Sequence, residues 1–342
     1  MKIKDQILAL FEENKGQYFS GEELAGRLSV SRAAVWKAVN TLRSEGYAID
    51  AVTNKGYCMS VNTDILSPQG ISKYLKEAYK DLELSVFPTV SSTNAVVKEQ
   101  AANGCGEGLI VISNEQTEGR GRRGRSFFSP DGTGIYMSLL LRPKHFTSQQ
   151  ATRITTMAAV AMCEAIEEVS EEQALIKWVN DIYVRGRKVC GILTEASFDM
   201  ESGLLEYAVL GVGVNVYKPE EGFPEEIQQR AGAVFEDTGN DRKNHLAAAF
   251  INHFMEYYEA QNQAALSESK AGDIGIADYI KKYQERSMAV GKEIEVLSGN
   301  ESRNAYAYGV DEECRLLVRY EDGQTESLSY GEISIRLPLK KC

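Results

Sequence analysis

The 342-residue chain has few of the residues that build several common kinds of site and scaffold. Its six cysteines are scattered and form no CxxC pair. This usage is typical of free thiols in a reducing compartment and argues against a disulfide framework or a cysteine zinc site. Only three histidines occur, and they form no HxxxH pattern. We therefore expect neither a histidine triad nor a metal site made by protein side chains alone.

Long hydrophobic runs are also missing. No segment approaches the ~20 apolar residues that cross a bilayer, and the first residues contain no apolar signal-peptide region. With 43% hydrophobic and 25% charged residues, the composition predicts a cytoplasmic globular protein of two or three domains. The net charge of −11 argues against indiscriminate binding to nucleic acid. Any DNA contact is expected within residues 1–60, which are nearly neutral.

Residues 1–62 have the pattern of a winged helix-turn-helix DNA-binding domain. Apolar residues at helical spacing predict a helix that ends near Asn14, and Ser20 with Glu23 forms the capping box of a second helix. Ser31 is placed to cap a third helix, and a hairpin with Lys55 at its tip follows as the wing. A three-helix docking or dimerisation module is the alternative. The residues predicted to contact DNA are Ser31, Arg32, Trp36, Lys37, Asn40, Arg43 and Lys55.

The most distinctive stretch runs from Gly119 to Arg125, where four arginines and three glycines occupy seven positions. Glycine lets the backbone approach a ligand closely, and arginine supplies a fork of donors for oxyanions. Buried strands are predicted on both sides, at 108–113 and 134–141, so the stretch is a loop between strands. It is predicted to bind a polyanion. A solvated basic loop or a nucleic-acid-binding tail is the alternative.

Other polar residues occur where strands end or where a charge is unexpected. Ser92, Thr93 and Asn94 stand between a strand and a helix, where they either contact a ligand or simply cap the helix. Lys177 lies in an apolar, β-prone stretch, and it either faces a ligand cavity or is an exposed strand residue. Asn215 ends a Gly-x-Gly-x-Asn strand whose glycines are predicted to let a flat ligand lie against the backbone. Residues 218–244 have the polar composition of a lid.

The remaining pattern completes an α/β (α+β) multidomain architecture. Residues 63–82 are predicted as a linker and leading helix, and residues 83–284 as a catalytic domain built on a mixed sheet. Residues 285–342 contain short strands separated by turns, which predict an SH3-like C-terminal β-barrel. Strands are expected there at 288–297, 304–310, 316–320, 326–329 and 331–336.

Taken in order, these motifs resemble the bifunctional biotin protein ligase/biotin operon repressor family. The resemblance is carried by the arginine-glycine loop, Ser92-Thr93-Asn94, Lys177-Trp178-Val179-Asn180-Asp181, the Gly-x-Gly-x-Asn strand, Ser31–Lys37 and Gly331–Arg336. It implies that ATP, with Mg²⁺, activates biotin to biotinyl-5′-adenylate, and that the biotinyl group passes to a lysine of a biotin carboxyl carrier protein. It also implies that the adenylate acts as co-repressor, so that a homodimer binds operator DNA and represses biotin synthesis genes. A mixed-sheet core of the biotin/lipoyl ligase type is expected.

The resemblance assigns roles to particular residues. Lys177 and Arg122 would be catalytic. Biotin would be bound by Ser92, Thr93, Asn94, Gln116, Arg120, Gly121, Arg122 and Lys177. ATP or the adenylate would be bound by Arg122, Arg125, Phe127, Lys177 and Asn215.

Two positions depart from the family pattern. Ser126-Phe127 stands where Lys-Trp is common, and Val179 stands where proline is usual. Both departures leave the charged groups in place. A DNA-binding biotin sensor without ligase activity and a lipoyl or octanoyl ligase are the alternative functions.

Overall fold

Residues 1–81 form one unit with residues 237–249 in a computed structural model of the protein, and residues 82–236 with 250–342 form a second unit. The structure describes residues 2–143, 146, 148–199, 201, 203–266, 271–298, 301–329 and 333–336. The first unit contains α1 (Ile3–Glu13), α2 (Gly21–Leu28), α3 (Arg32–Ser44), β1 (Ile49–Val52), β2 (Gly56–Met59), α4 (Pro68–Ser72) and the start of α7 (Arg242–Leu266). The strands β1 and β2 form an antiparallel hairpin.

The helix-turn-helix follows from its caps. The Ser20 hydroxyl accepts a hydrogen bond from the Glu23 amide at 3.0 Å, and the Ser31 hydroxyl accepts one from the Ala34 amide at 3.2 Å. Between these caps α2 ends at Ser29, whose φ of 54° lies in the left-handed region that closes a helix. Both predicted caps are confirmed. With the β1–β2 hairpin, they confirm the winged helix-turn-helix.

A buried ion cluster stabilises the first unit. Lys15 lies 3.1 Å from Glu12 and 2.9 Å from Asp241, and Lys73 contacts the same two carboxylates. Glu12 and Asp241 are buried. Burial raises the pKa of Asp241, but hydrogen bonds from Lys73, Asn244 and Lys15 outweigh burial and hold that pKa below its ordinary value. The cluster joins α1 to the start of α7.

The second unit is built on a seven-stranded mixed sheet with the strand order β3-β4-β5-β9-β8-β7-β6. The strands are β3 (Glu83–Val90), β4 (Leu109–Gln116), β5 (Gly134–Leu141), β6 (Ala174–Lys177), β7 (Asp181–Val184), β8 (Arg187–Phe198) and β9 (Leu205–Asn215). Only the β3–β4 pair is parallel among the ladders that the structure describes. The helices α5 (Thr93–Ala102) and α6 (Ser148–Ser170) pack against the sheet.

The parallel β3–β4 pair positions one end of the candidate site. Val90 and Gln116 are partners at the ends of these strands, so the residues after β3 lie beside the last residue of β4. The helix α5 begins there. Its Val97 and Ala101 pack on Val111 of β4 and fix the helix against the sheet.

The C-terminal part of the second unit contains α8 (Ala271–Arg286) and an antiparallel sheet with the order β13-β12-β11-β10-β14. Its strands are β10 (Lys292–Ser298), β11 (Glu301–Val310), β12 (Leu316–Tyr320), β13 (Thr325–Leu328) and β14 (Ile333–Arg336). In the described residues this sheet is open, with β13 and β14 at its edges, so the predicted antiparallel strands are confirmed and the SH3-like barrel stays a prediction. Gly331 and Glu332 of the predicted last strand lie outside the described residues.

The sheet is joined to the core where the Trp178 indole donates to the Cys314 carbonyl at 3.1 Å. Across the described ranges, the helices are too short or too polar to cross a membrane.

Candidate active site

A cavity of about 380 Å³ opens in the second unit, which is within the usual size range for small-molecule sites. It brings together every residue that the sequence predicted for small-molecule binding. These are Ser92, Thr93, Asn94, Gln116, Arg120, Gly121, Arg122, Arg125, Phe127, Lys177 and Asn215.

One side of the cavity is polar and uncharged. The Gln116 side-chain oxygen accepts from the Thr93 amide at 2.9 Å and from the Thr93 hydroxyl at 3.1 Å. The Gln116 amide group donates to Ser129 at 3.1 Å. Ser92 precedes α5, but its hydroxyl makes no capping hydrogen bond. Ser92 therefore occupies the N-cap position of α5 without capping the helix through its side chain.

The arginine-glycine stretch is an ordered loop between β4 and β5. Its backbone folds back on itself, because the Gly121 amide donates to the Arg125 carbonyl at 2.7 Å and the Phe127 amide donates to the Gly119 carbonyl at 2.8 Å. The Arg122 guanidinium donates to the Asn180 side-chain oxygen at 3.2 Å. This contact links the loop to the Lys-Trp-Val-Asn-Asp segment, and the predicted loop between strands is confirmed.

The charged side of the cavity is strongly cationic. Lys177 lines it, so the alternative of an exposed strand residue does not hold. Burial lowers the pKa of Lys177, and the charges of Lys188, Arg125 and Arg230 lower it further, while Asp181 opposes them. Because neighbouring cations disfavour the charged ammonium, an anionic ligand would relieve their repulsion.

Asp181 is the one carboxylate among the described residues that line the cavity, and it pairs with Lys188 at 2.6 Å. Elsewhere in the described ranges, no group of three His, Cys, Asp or Glu side chains is arranged to hold a metal ion. The cavity therefore carries a net positive charge that suits a phosphate and a carboxylate together.

The glycines of β9 make room for the protein's own side chains. A Cβ atom on Gly211 would lie 2.2 Å from Asn94 Oδ1, and one on Gly213 would lie 2.6 Å from the Phe127 ring. The prediction that a flat ligand lies directly on these glycines is thus corrected, because Asn94 and Phe127 lie there. The Phe127 ring also meets Tyr136 edge-on, with 6.4 Å between ring centroids.

Several lining residues were not predicted from the sequence. They include Lys188 on β8 and Phe223, Ile227, Arg230 and Ala231 in the segment with the composition of a lid. The Lys188 amide donates to the Arg230 carbonyl at 2.7 Å, and the Gly232 amide donates back to Lys188 at 2.8 Å. Asn215 also supports this wall, because its side chain donates to the Gly232 carbonyl at 3.0 Å.

The lid composition of residues 218–244 pointed to the segment that contains four of these residues, but not to the individual side chains. Lys188 lies just after the tip of the β7–β8 hairpin, close to Asp181 of β7. The predicted pairing of β7 with β8 could therefore have placed Lys188 beside Asp181 at the cavity.

The residues predicted to contact DNA lie in the first unit. Arg32, Lys37 and Lys55 are exposed, and Trp36 is 61% exposed, so all four side chains are accessible. Ser31 caps α3 through its hydroxyl, and Asn40 is half-buried. Arg43 is exposed, and its Nε donates to the Ile49 carbonyl at 2.8 Å, which also ties it to β1 of the wing.

Three family descriptions match the chain. The HTH domain matches residues 4–58, the Biotin/lipoate A/B protein ligase family matches residues 86–215, and the Biotin protein ligase C terminal domain matches residues 289–336. The chain is 31% identical to the bifunctional ligase/repressor BirA of Bacillus subtilis over 94% of this chain and 95% of that protein. The corresponding protein of Escherichia coli is 27% identical over 94% of each chain.

A solved structure is similar as well. The biotin protein ligase from Aquifex aeolicus in complex with biotin and ATP superposes with a TM-score of 0.61 at 28% identity, covering 75% of this chain and 99% of that chain. Together with the winged helix-turn-helix and the cationic cavity, these similarities show that the chain belongs to the family of bifunctional biotin protein ligases and repressors.

Proposed function

We propose that this chain activates biotin with ATP and transfers the biotinyl group to a lysine of a carrier protein. The observation that carries the proposal is the cavity, in which an uncharged polar side around Thr93 and Gln116 is continuous with a cationic side around Arg122, Lys177 and Lys188. Biotin has the matching division, with a neutral cyclic urea at one end and a carboxylate at the other.

In the first step a biotin carboxylate oxygen attacks the α-phosphorus of ATP. The bond from that phosphorus to the oxygen bridging to the β-phosphate breaks, and pyrophosphate leaves with the electron pair. Two anions must approach each other, so Arg122, Lys177 and Lys188 offset their repulsion and orient them. Phe127, Ile227 and Ala231 provide apolar surface on the same cavity for the adenine ring.

In the second step the carrier lysine amine attacks the acyl carbon of biotinyl-5′-adenylate. An amide bond forms, AMP leaves, and the amine loses one proton to the solvent. The adenylate is a mixed anhydride that water would hydrolyse. The loop from Gly119 to Phe127 lines the cavity, and we propose that it covers the adenylate and limits the access of water to the junction.

ATP is proposed to enter as its Mg²⁺ complex, which offsets part of the phosphate charge. The lining carboxylate of Asp181 is already paired with Lys188. The ion would therefore be held chiefly by the phosphate oxygens, and its role is that of a substrate component.

The ligase proposal is tested by incubating the purified chain with biotin, MgATP and a biotin carboxyl carrier protein. We expect one biotinyl group on one carrier lysine, and a loss of at least about 100-fold in rate for Lys177→Ala and for Lys188→Ala, since each removes a preorganised charge. Absence of product with the wild-type chain would contradict the ligase activity and leave the sensor alternative. Lipoyl transfer in place of biotinyl transfer would favour the lipoyl ligase alternative.

A second function, adenylate-dependent repression of biotin genes, is supported by the exposed face of α3. Arg32, Trp36 and Lys37 present cationic and aromatic groups next to the helix start, which is the part that enters a major groove. We propose that the adenylate-bound form is a homodimer on operator DNA.

One edge of the core sheet supports the dimer. In the described residues the ladder of β7 with β8 ends at Gly191, and Ile192 still bonds to Asn180. No strand pairs with this side of β8 from Thr194 to Phe198 in the described residues, and Phe198 is exposed. Operator binding measured with and without biotin and MgATP tests this function, and no dependence on them would contradict it.

The finer domain division is also proposed. Boundaries at residues 1–62, 63–82, 83–284 and 285–342 are supported by the matched ranges 4–58, 86–215 and 289–336. We propose an SH3-like form for the C-terminal sheet, supported by its five short antiparallel strands. A cytoplasmic location is supported by the free thiols of the described cysteines.

A further inference from the structure

A chain of hydrogen-bonded polar side chains leads from Glu195 on β8 to the cavity. Asn94 Nδ2 donates to Glu195 Oε2 at 2.7 Å, and the Ser138 hydroxyl donates to Asn94 Oδ1 at 2.6 Å. The Ser138 and Thr93 hydroxyl oxygens are 2.7 Å apart. Thr93, Asn94 and Ser138 are each at most 5% exposed. Glu195 itself is held by Lys98, whose ammonium is 2.5 Å from Oε1.

The ionised carboxylate sets the direction of the bonds from Asn94 to Ser138, and the Leu193 carbonyl, 3.5 Å from Asn94 Nδ2, favours the same orientation of Asn94. A carboxylate only accepts hydrogen bonds, so Asn94 must turn its amide nitrogen toward Glu195 and its oxygen toward Ser138. Because that oxygen also only accepts, the single proton of Ser138 is committed to Asn94. The Ser138 oxygen is then left as an acceptor on its Thr93 side.

The same reasoning fixes the group that Thr93 presents to a ligand. Its hydroxyl proton has two protein acceptors, the Ser138 oxygen and the Gln116 side-chain oxygen at 3.1 Å. Whichever accepts, the proton is used within the protein. The Thr93 oxygen therefore offers the cavity a lone pair, which recognises an N–H donor.

Two further observations support the arrangement. Burial raises the pKa of Glu195, but the hydrogen bonds from Lys98 and Asn94 and the charges of Lys98 and Arg120 outweigh burial and leave that pKa below its ordinary value, so the group is ionised at neutral pH. Gly211 leaves the space that Asn94 occupies on the sheet, since a Cβ atom there would lie 2.2 Å from Asn94 Oδ1.

We propose that Glu195 is a positioning residue for ligand recognition: through Asn94 and Ser138 it orients Thr93 so that the Thr93 oxygen accepts a hydrogen bond from an N–H of the ligand's cyclic urea. The proposal rests on the proposed biotin ligase function. It assigns to Glu195, which does not line the cavity, a part in selecting ligands that carry such a donor.

Glu195→Gln tests the proposal because it keeps the shape of the side chain and changes the bond directions. Lys98 needs an acceptor, so the oxygen of the introduced amide faces Lys98 and its NH₂ group faces Asn94. Asn94 can then turn over its side-chain amide, which reverses the direction of every hydrogen bond from Glu195 to Ser138. The Ser138 proton in that case goes to the Thr93 oxygen and occupies one of the lone pairs that the wild-type arrangement leaves open. If Asn94 does not turn over, its NH₂ group faces the NH₂ group of the introduced amide, and the two opposed groups push Asn94 and Ser138 out of position. Either result weakens acceptance from the ligand N–H, and KM for biotin should rise about 10- to 100-fold, which is the usual cost of a misdirected buried hydrogen bond.

A second variant makes the test specific to bond direction. In Glu195→Gln combined with Lys98→Met, the oxygen of the introduced amide has no cation to face and can accept from Asn94 again. KM for biotin should return to within about threefold of the wild-type value, because the hydrogen bond is restored in its original direction. Rescue by removal of a second charge is not expected if Glu195 has only a structural role.

The measurements are KM for biotin, KM for ATP and kcat, each with the full chain and with thermal unfolding as a folding check. Glu206→Gln on β9 is the matched control, because Glu206 accepts from Ser197 at 3.0 Å outside this chain of bonds. The proposal predicts that only KM for biotin responds to Glu195→Gln.

Three results would overturn the proposal while the ligase function stands. These are an unchanged KM for biotin, an equal rise in both KM values, and no recovery in the double variant. Failure of the wild-type chain to biotinylate a carrier would instead contradict the proposed function itself.

Discussion

Gly213→Ala is the sharpest perturbation of the nucleotide side of the cavity. The added methyl group would lie 2.6 Å from Phe127 Cε1 and 2.9 Å from Cζ. Carbon atoms pack at roughly 3.5–4.0 Å, so the ring has to move by about 1 Å. A displacement of that size in a positioning group costs up to about 100-fold in rate. We expect kcat/KM for ATP to fall about 10- to 100-fold, while KM for biotin changes little.

The assay is biotin-dependent exchange of pyrophosphate into ATP, with biotin saturating. Gly106→Ala is the matched control, because nothing lies within 4 Å of the added methyl group there. In a Phe127→Ala background the clash no longer exists, so Gly213→Ala should have almost no further effect. Equal effects of Gly213→Ala in the two backgrounds would refute the reasoning, as would full activity of the single variant.

Three other outcomes are expected. Lys73→Met should lower the free energy of unfolding by about 3–5 kcal/mol in urea titrations, because it leaves buried carboxylates without one of their cations; a change within error would contradict the role of the cluster. The pKa of Asp241 is held below its ordinary value in the folded protein. The stability that Asp241 contributes should therefore be complete when the pH is above the ordinary pKa, and it should be lost as the pH falls through the lowered pKa. Asp241→Asn should show a weaker acid dependence of the free energy of unfolding in titrations at several pH values. Trp36→Ala should weaken operator binding in a fluorescence-anisotropy titration and leave carrier biotinylation unchanged, and equal loss of both activities would show that the two functions are not separable.

Much of the local structure follows from short-range signals in the sequence. Ser20 with Glu23 predicted the start of α2, because the hydrogen bond from the Glu23 amide to the Ser20 hydroxyl is local and forms independently of the tertiary surroundings. The strand from Gly134 to Leu141 was predicted with both of its ends, because a continuous apolar run between polar turns fits a strand covered on both faces. The loop between β4 and β5 followed from the two buried strands beside it.

The parts that were not predicted depend on contacts between distant residues. The pairing of Lys188 with Arg230 and Gly232 requires two segments of different composition to meet, and neither segment shows this by itself. The prediction that a ligand lies against Gly213 is wrong. A glycine in a strand indicates that some group approaches the backbone closely, but the sequence does not identify that group. Phe127 occupies that space, which only the folded loop reveals.

The charge cluster of the first unit illustrates the same limit. Glu12 and Lys15 are near neighbours, and an ordinary surface pair is the natural reading of such spacing. Their burial arises because Lys73 and Asp241 join them from positions far along the chain. The sequence therefore shows which types of residue are available for such a cluster but not where they meet.

The central claim is that one cavity joins biotin to ATP and passes the biotinyl group to a carrier. It is tested most directly by mass spectrometry of a biotin carboxyl carrier protein after incubation with the chain, biotin and MgATP. The account predicts one added biotinyl group on one lysine, formed only when ATP is present and greatly reduced with Lys177→Ala. An unmodified carrier after incubation with the wild-type chain would contradict it.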